Sequence, residues 1–216
     1  MMGGSMMYVK NIMTTNPYTV TPDTTIAEGL EMMREEGIRR LPVLDGNHLV
    51  GIITERRLLE VSPSPATTLS IFELNYLLSK TKIGSMMTKN VITVTPDTLL
   101  EVAASIMKEN KFGGIPVVEN EKLVGIITET DIFGAFVEVF GLEDNESKIH
   151  IRVNDNKPGV LADITRLIAN FNVSITHVAL FRDMIMLTVN TSNLKPILEE
   201  LENKNFDVAY FFTSQD

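Results

Sequence analysis

The stretch TVTPDT at residues 19–24 returns letter for letter at 93–98, and LVGIITE at 49–55 returns as LVGIITE at 123–129. Both pairs stand 74 positions apart, and carrying that offset outward lays residues 12–58 over 86–132 without a gap, with 20 identities in 47 positions. A repeat unit this short does not close a core alone and is built to stack on its copy. Any binding site is therefore expected in the cleft between the two copies.

Each copy reads in one way: a short apolar segment, a helix opened by Thr-Pro-Asp, two strands around a polar turn, and a second helix after Thr54 or Thr128. Ile26, Gly29, Leu30 and Met33 recur at the i, i+3, i+4, i+7 spacing of a buried helix face, and Leu100, Ala103, Ala104 and Met107 repeat it. Pro22 and Pro96 are expected in the first helical turn, where a missing N–H costs nothing. LPVLD and LVGII flank Asp45-Gly46-Asn47 and predict a hairpin, with Glu119-Asn120-Glu121 at the second turn.

The βαββα order, the hydrophobic-hydrophobic-Pro-Val strand and the closing G-h-h-T-x-x-D resemble the CBS domain, and two in tandem resemble a Bateman module. The likeness covers roughly the first 140 residues, carried by both copies. It implies an adenine nucleotide (AMP, ADP, ATP or an S-adenosyl compound) as a regulatory ligand in the central cleft. GIITETD at 125–131 matches the family's nucleotide motif in full. In such domains the Thr, here Thr128, meets a phosphate or ribose at a helix N-terminus, and the Asp, here Asp131, accepts from the ribose diol. The physics suits both roles, since a helix N-terminus offers unpaired donors to an anion and a carboxylate only accepts. Thr128 and Asp131 also fit a capping box, which needs no ligand.

The first copy departs from the motif: GIITERR at 51–57 puts Arg57 where Asp131 stands, three residues after Thr54. Either that half-site has lost nucleoside binding, or Arg57 supplies a cation to the phosphates of a ligand held by the other copy. Arg39 and Arg40 precede Leu41-Pro42, where the resemblance implies a basic side chain entering the cleft, whereas the second copy has Gly113 and Gly114. Paired glycines permit close approach of a flat ring to the backbone. The expected site is thus one nucleoside pocket of Val94, Gly114, Ile115, Pro116, Thr128 and Asp131, with Arg39, Arg40 or Arg57 near phosphate and Thr54 at the other half-site.

These features bound the domains as a first CBS unit at 8–61, a linker at 62–81 with a helix about 70–80, and a second CBS unit at 82–140. Ser62-Pro63-Ser64-Pro65 stops the preceding helix, and Ser70 is expected to cap a helix carrying Ile71, Leu74, Leu77 and Leu78. From 148 to 216 the character changes. KIHIRVN alternates as a strand, and Val160, Ile164, Leu167 and Phe171 mark a helix. Strands are expected at about 173–181 and 184–190, then a helix with Leu194, Ile197, Leu198 and Leu201, and a last strand with Val208, Tyr210 and Phe212 alternating. That βαββαβ order is ferredoxin-like. DNKPGVLADIT resembles the first loop and helix of ACT domains, which implies an amino-acid effector site at Asp155, Asn156, Pro158, Gly159, Val160 and Leu161. A Pro-Gly turn before a helix is equally common for geometric reasons. Two CBS domains, this linker helix and one ACT domain together resemble the acetoin-utilisation accessory protein B group, which implies a role in acetoin or related carbon metabolism.

The chain holds no cysteine, so disulfides, thiolate nucleophiles and Cys-based metal sites are excluded. A formal charge of −9 over 216 residues argues against nucleic acid as a partner. No apolar run approaches the roughly 20 residues of a membrane span, and no basic-then-apolar leader opens the chain, so a cytoplasmic location is expected. His48 in a hairpin turn, His150 facing outward from a strand and His177 in another strand form no metal or catalytic spacing. The reading is of a regulatory protein, not an enzyme, without metal or catalytic cofactor. It is expected to form a homodimer and to act on a regulated protein that the residues do not name. A scaffold with an empty CBS cleft, or an amino-acid sensor acting through the ACT domain, are the other readings.

Overall fold

A computed structural model of the chain describes residues 7–61, 71–141, 146–153 and 157–214. Two compact units emerge, Met1–Ile132 and Phe133–Asp216.

In the first unit, helix α1 (Val9–Ile12) and the short strand β1 (Thr14–Thr15) lead to α2 (Ile26–Glu35), the hairpin β2 (Arg40–Asp45) and β3 (His48–Thr54), and α3 (Glu55–Val61). After α4 (Ile71–Lys80) and a 3₁₀ turn at Ile83–Ser85, the second copy gives α5 (Leu100–Asn110), the hairpin β4 (Gly114–Glu119) and β5 (Lys122–Thr128), and α6 (Glu129–Val139). The predicted stripe is the buried face. Ile26, Gly29 and Met33 are buried on α2, and Leu100, Ala103 and Met107 on α5. Ile26 and Met33 pack with Leu41, Val43, Ile53 and Leu58 in the first copy's core, each contributing about 1.5–3 kcal/mol of burial.

The helices start later than Thr-Pro-Asp predicts. The Thr24 N–H donates to Thr21 O (3.1 Å) and the Thr21 N–H to Thr24 Oγ1 (3.1 Å), so Pro22 sits at the corner of a closed turn, not in a helix. Thr95 and Thr98 repeat the turn around Pro96. Helix α2 opens at Ile26 through a capping box: the Glu28 N–H donates to Thr25 Oγ1 (3.2 Å) and the Thr25 N–H to Glu28 Oε2 (2.7 Å). His48 opens β3 opposite Asp45 rather than sitting in the turn.

The opening strand of each copy belongs to the other copy. Thr14 and Thr15 pair antiparallel with Ile126 and Gly125 of β5, and Thr88 bridges Ile52 of β3. Upstream, the Val9 N–H donates to Thr98 O and the Ile83 N–H to Thr24 O, each at 2.9 Å. Within its own copy, the opening segment makes single parallel bridges, Val20 to Val43 and Val94 to Val117. Gly51 and Gly125 admit this exchange. A Cβ on Gly51 would stand 3.1 Å from Thr88 O, and one on Gly125 3.0 Å from Thr14 O.

Helix α4 packs on α2, and its Leu78 joins the first copy's core. The expected Ser-Pro turn and the Ser70 cap lie outside the described residues.

The second unit continues from α6 through β6 (Ser147–Arg152), α7 (Val160–Ala169), β7 (Ile175–Phe181), β8 (Met184–Val189), α8 (Lys195–Asn203) and β9 (Asp207–Phe212). The sheet order β7-β8-β6-β9, antiparallel throughout, is that of a ferredoxin-like βαββαβ fold. Ile149 and Ile151 of β6 meet Ile164, Leu167 and Ile168 of α7 and Ile197 and Leu201 of α8 in its core. Phe171 falls past the end of α7 and is partly exposed, so Ile168 closes that face instead. A bulge opposite His150 and Ile151 breaks the alternation of β9, leaving Tyr210, Phe211 and Phe212 all exposed. His150 stands half-buried beside Tyr210, with ring centroids 4.9 Å apart.

Candidate functional site

The pseudo-symmetry of the first unit produces two clefts instead of one. The larger, about 430 Å³, is lined by Tyr18, Arg39, Arg40, Gly113, Thr128 and Asp131 among others. The smaller, about 170 Å³, is lined by Arg40, Thr54, Thr88, Asn90, Lys111 and Gly114 among others. Thr14 and Tyr18 in the first correspond to Thr88 and Ile92 in the second at the offset of 74, as Thr128 does to Thr54.

The residues expected at the nucleotide site are therefore divided. Arg39, Arg40, Thr128 and Asp131 line the larger cleft. Thr54, Gly114 and Pro116 line the smaller, again with Arg40. Ile115 is wholly buried and Val94 nearly so, both in the apolar interior. Arg57 turns along its own helix, with Nη1 3.3 Å from Glu60 Oε2. The period-2 alternation of β4 explains Ile115: a residue between two cleft-lining neighbours points to the opposite face.

At the larger cleft the strand β5 ends in Thr128 and α6 begins. Asp131 Oδ2 accepts from both the Thr128 N–H and the Thr128 hydroxyl, each at 2.7 Å, and the Asp131 N–H donates to Thr128 Oγ1 at 3.4 Å. The capping box anticipated from the sequence is thus formed, and it occupies one carboxylate oxygen. The Glu129 N–H donates to Gly113 O (3.2 Å), which ties the helix start to the residue just before β4. Among the described residues the Thr130 N–H has no protein acceptor, and Thr130 lines the cleft. A helix N-terminus with a free N–H and two guanidinium groups opposite is chemically suited to an anion.

Arg40 lies against the glycine pair of the second copy. A Cβ on Gly114 would stand 2.8 Å from Arg40 Nη1 and 3.1 Å from Ile127 O. The space opened by Gly113 and Gly114 is thus used by a guanidinium rather than left for a flat ring. Burial pushes the Arg40 guanidinium below its ordinary pKa, opposed by the charge of Glu129 and, more weakly, of Asp131. Tyr18, half exposed at the larger cleft, is an aromatic surface that the repeat comparison did not single out. Its signal was present, as Tyr18 aligns with Ile92 in an otherwise similar stretch.

Of the six residues expected at the ACT loop, Asp155 and Asn156 lie outside the described residues. Pro158 and Gly159 form the turn into α7, Gly159 with φ 101°, and Val160 and Leu161 begin the helix. The Asp163 N–H donates to Gly159 O at 2.9 Å. No helix among the described residues is long and apolar enough to cross a membrane.

The CBS-domain family model matches residues 9–64 and 83–138, and the ACT-domain model matches 149–205. The chain belongs to the CBS-domain family. It carries two CBS domains and a C-terminal ACT domain. Among solved structures it is similar to a candidate acetoin utilization protein (AcuB) from Vibrio cholerae, at 30% identity and a TM-score of 0.54, over 65% of this chain and 97% of that one. It is also similar to CBSX2 of Arabidopsis thaliana, solved in complex with AMP, at 32% identity and a TM-score of 0.51 over 61% of this chain and 97% of that one. A third is the CBS domain pair of MJ0100, solved with 5′-methylthioadenosine and S-adenosyl-L-methionine, at 29% identity and a TM-score of 0.51 over 62% of this chain and 98% of that one. Adenine-containing ligands therefore bind CBS pairs similar to this one.

Proposed function

We propose that this protein is a regulatory sensor that binds an adenine nucleotide in the larger cleft of its CBS pair. The observation that carries the reading is the Thr128–Asp131 pair at the N-terminus of α6, opening into a cleft with Arg39 and Arg40. Asp131 accepts from the ribose diol, Tyr18 offers a face to the base, and the Thr130 N–H and the two arginines meet the phosphate. The complexes of similar CBS pairs with AMP and with S-adenosyl-L-methionine support this ligand class. Binding acts on output only through the ligand's differential affinity for two arrangements of the protein.

The output is a homodimer. Val178, Leu180 and Phe181 of the edge strand β7 are exposed, and an apolar edge of this kind is finished by a second copy. The likeness to AcuB supports a setting in acetoin or related carbon metabolism. Isothermal titration with AMP, ATP and S-adenosylmethionine, on the wild type and Asp131→Ala, tests the ligand. Saturable binding lost in the variant is expected, and absence of binding by a folded wild type overturns the reading. Light scattering across concentration tests the dimer, which a persistent monomer refutes.

The reciprocal Thr128–Asp131 bonds favour one competing reading, in which the pair serves only as a helix cap and the CBS clefts of a scaffold stand empty. Titration separates the two, because a scaffold binds none of the three compounds.

A further inference from the structure

Arg40 lines both clefts, and with Gly113 it is what they share among their lining residues. Its guanidinium rests on the Gly113–Gly114 backbone, and among the described residues its side chain makes no hydrogen bond or ion pair. A half-buried guanidinium with unmet donors is a strong site for one phosphate, which it can grip through two parallel bonds. The clefts differ in everything else that is charged. The larger holds Arg39 together with Glu129 and Asp131, while the smaller holds Lys111 and no carboxylate.

We infer that Arg40 couples the two clefts antagonistically, because a phosphate bound in one cleft commits the guanidinium that the other needs for its own. The inference rests on the nucleotide reading above. With Arg40 engaged in the larger cleft, the smaller retains Lys111 as its cation, so the second phosphate-bearing ligand binds more weakly than the first. A ligand without phosphate does not use Arg40, and its two binding events are not coupled through it. The protein then responds to phosphorylated ligand as a one-per-chain sensor while leaving the second cleft open to an uncharged adenine compound.

Titration calorimetry of the full chain with AMP and with adenosine, on the wild type and Arg40→Gln, tests this. The adenosine titration reports the difference between the clefts for the nucleoside part of the ligand. For AMP the ratio of the two dissociation constants is expected to exceed the adenosine ratio by roughly tenfold, within the usual range of site-to-site coupling. In Arg40→Gln the AMP ratio falls to that variant's own adenosine ratio. The wild-type comparison needs no variant and stands even where the substitution disturbs folding. Equal AMP and adenosine ratios in the wild type, a second AMP bound more tightly than the first, or an AMP ratio unmoved in folded Arg40→Gln would overturn the coupling alone. If neither AMP nor adenosine binds, the coupling is removed, and the nucleotide reading falls with it where ATP and S-adenosylmethionine also fail to bind.

Discussion

Asp131 is built into both a helix cap and the cleft, and substitutions can pull the two roles apart. Asp131→Ala deletes two bonds of 2.7 Å to Thr128 and leaves the start of α6 with only the longer bond from the residue-131 N–H to Thr128 Oγ1. Loss of such a cap costs about 0.5–2 kcal/mol. The same substitution removes a charged acceptor for the ribose diol, and hydrogen bonds to charged groups are worth about 1.5–3 kcal/mol, or roughly 10- to 150-fold in Kd. Asp131→Glu should behave differently. This protein already closes a Thr-x-x-Glu box at α2, where Glu28 Oε2 accepts from Thr25 N–H at 2.7 Å and from its hydroxyl at 2.8 Å. A glutamate at 131 can therefore restore the cap to within about 0.5 kcal/mol of the wild type, while the extra methylene displaces the free carboxylate oxygen in the cleft. Urea denaturation would show the order wild type, Asp131→Glu, then Asp131→Ala, with the first two close. Calorimetric titration with AMP would show both variants weakened at least about tenfold. The reasoning is refuted if Asp131→Glu and Asp131→Ala bind AMP as the wild type does, because the carboxylate then serves the helix alone.

Gly125→Ala should destabilise the first unit by about 1–3 kcal/mol, because its Cβ would stand 3.0 Å from Thr14 O and the backbone of β1 cannot yield without losing its pairing; a denaturation midpoint unchanged from the wild type would contradict the strand exchange. Ile115→Ala should cost about 2–5 kcal/mol of stability while leaving AMP affinity of the folded protein within about twofold, since Ile115 is wholly buried. A selective loss of AMP affinity would place Ile115 back at the ligand. His150 is held below its ordinary pKa, first by burial and then by the charge of Lys148, so the unfolded chain binds more protons than the folded one as pH falls. Its contribution is fully present above about pH 6.5 and lost as pH falls toward the folded-state value. Denaturation at pH 7.5 and 5.5 should show a smaller loss for His150→Gln than for the wild type, and equal losses would remove His150 as the cause.

Much of the fold was legible because helices and strands declare their buried faces by spacing. The stripes Ile26, Gly29, Met33 and Leu100, Ala103, Met107 became the buried faces of α2 and α5. Thr54 and Thr128 mark helix boundaries in the sequence and in the structure alike, since side-chain capping is a local interaction. Pro22 and Pro96 depart from the helical start that the sequence predicts for an equally local reason: proline suits the corner of a turn as well as the first turn of a helix, and the Thr21–Thr24 bonds decide between them.

By itself, then, the amino-acid sequence determined the duplication, the order of elements and the side of each element that faces inward, because these follow from periodicity and short-range hydrogen bonding. Only the tertiary structure decided which copy each opening strand joins, and it divided the expected pocket into two clefts. Periodicity specifies a face but not the neighbour that covers it. Thr14 meets Ile126, and Arg40 comes to rest on Gly113 and Gly114, through contacts between residues far apart in the chain.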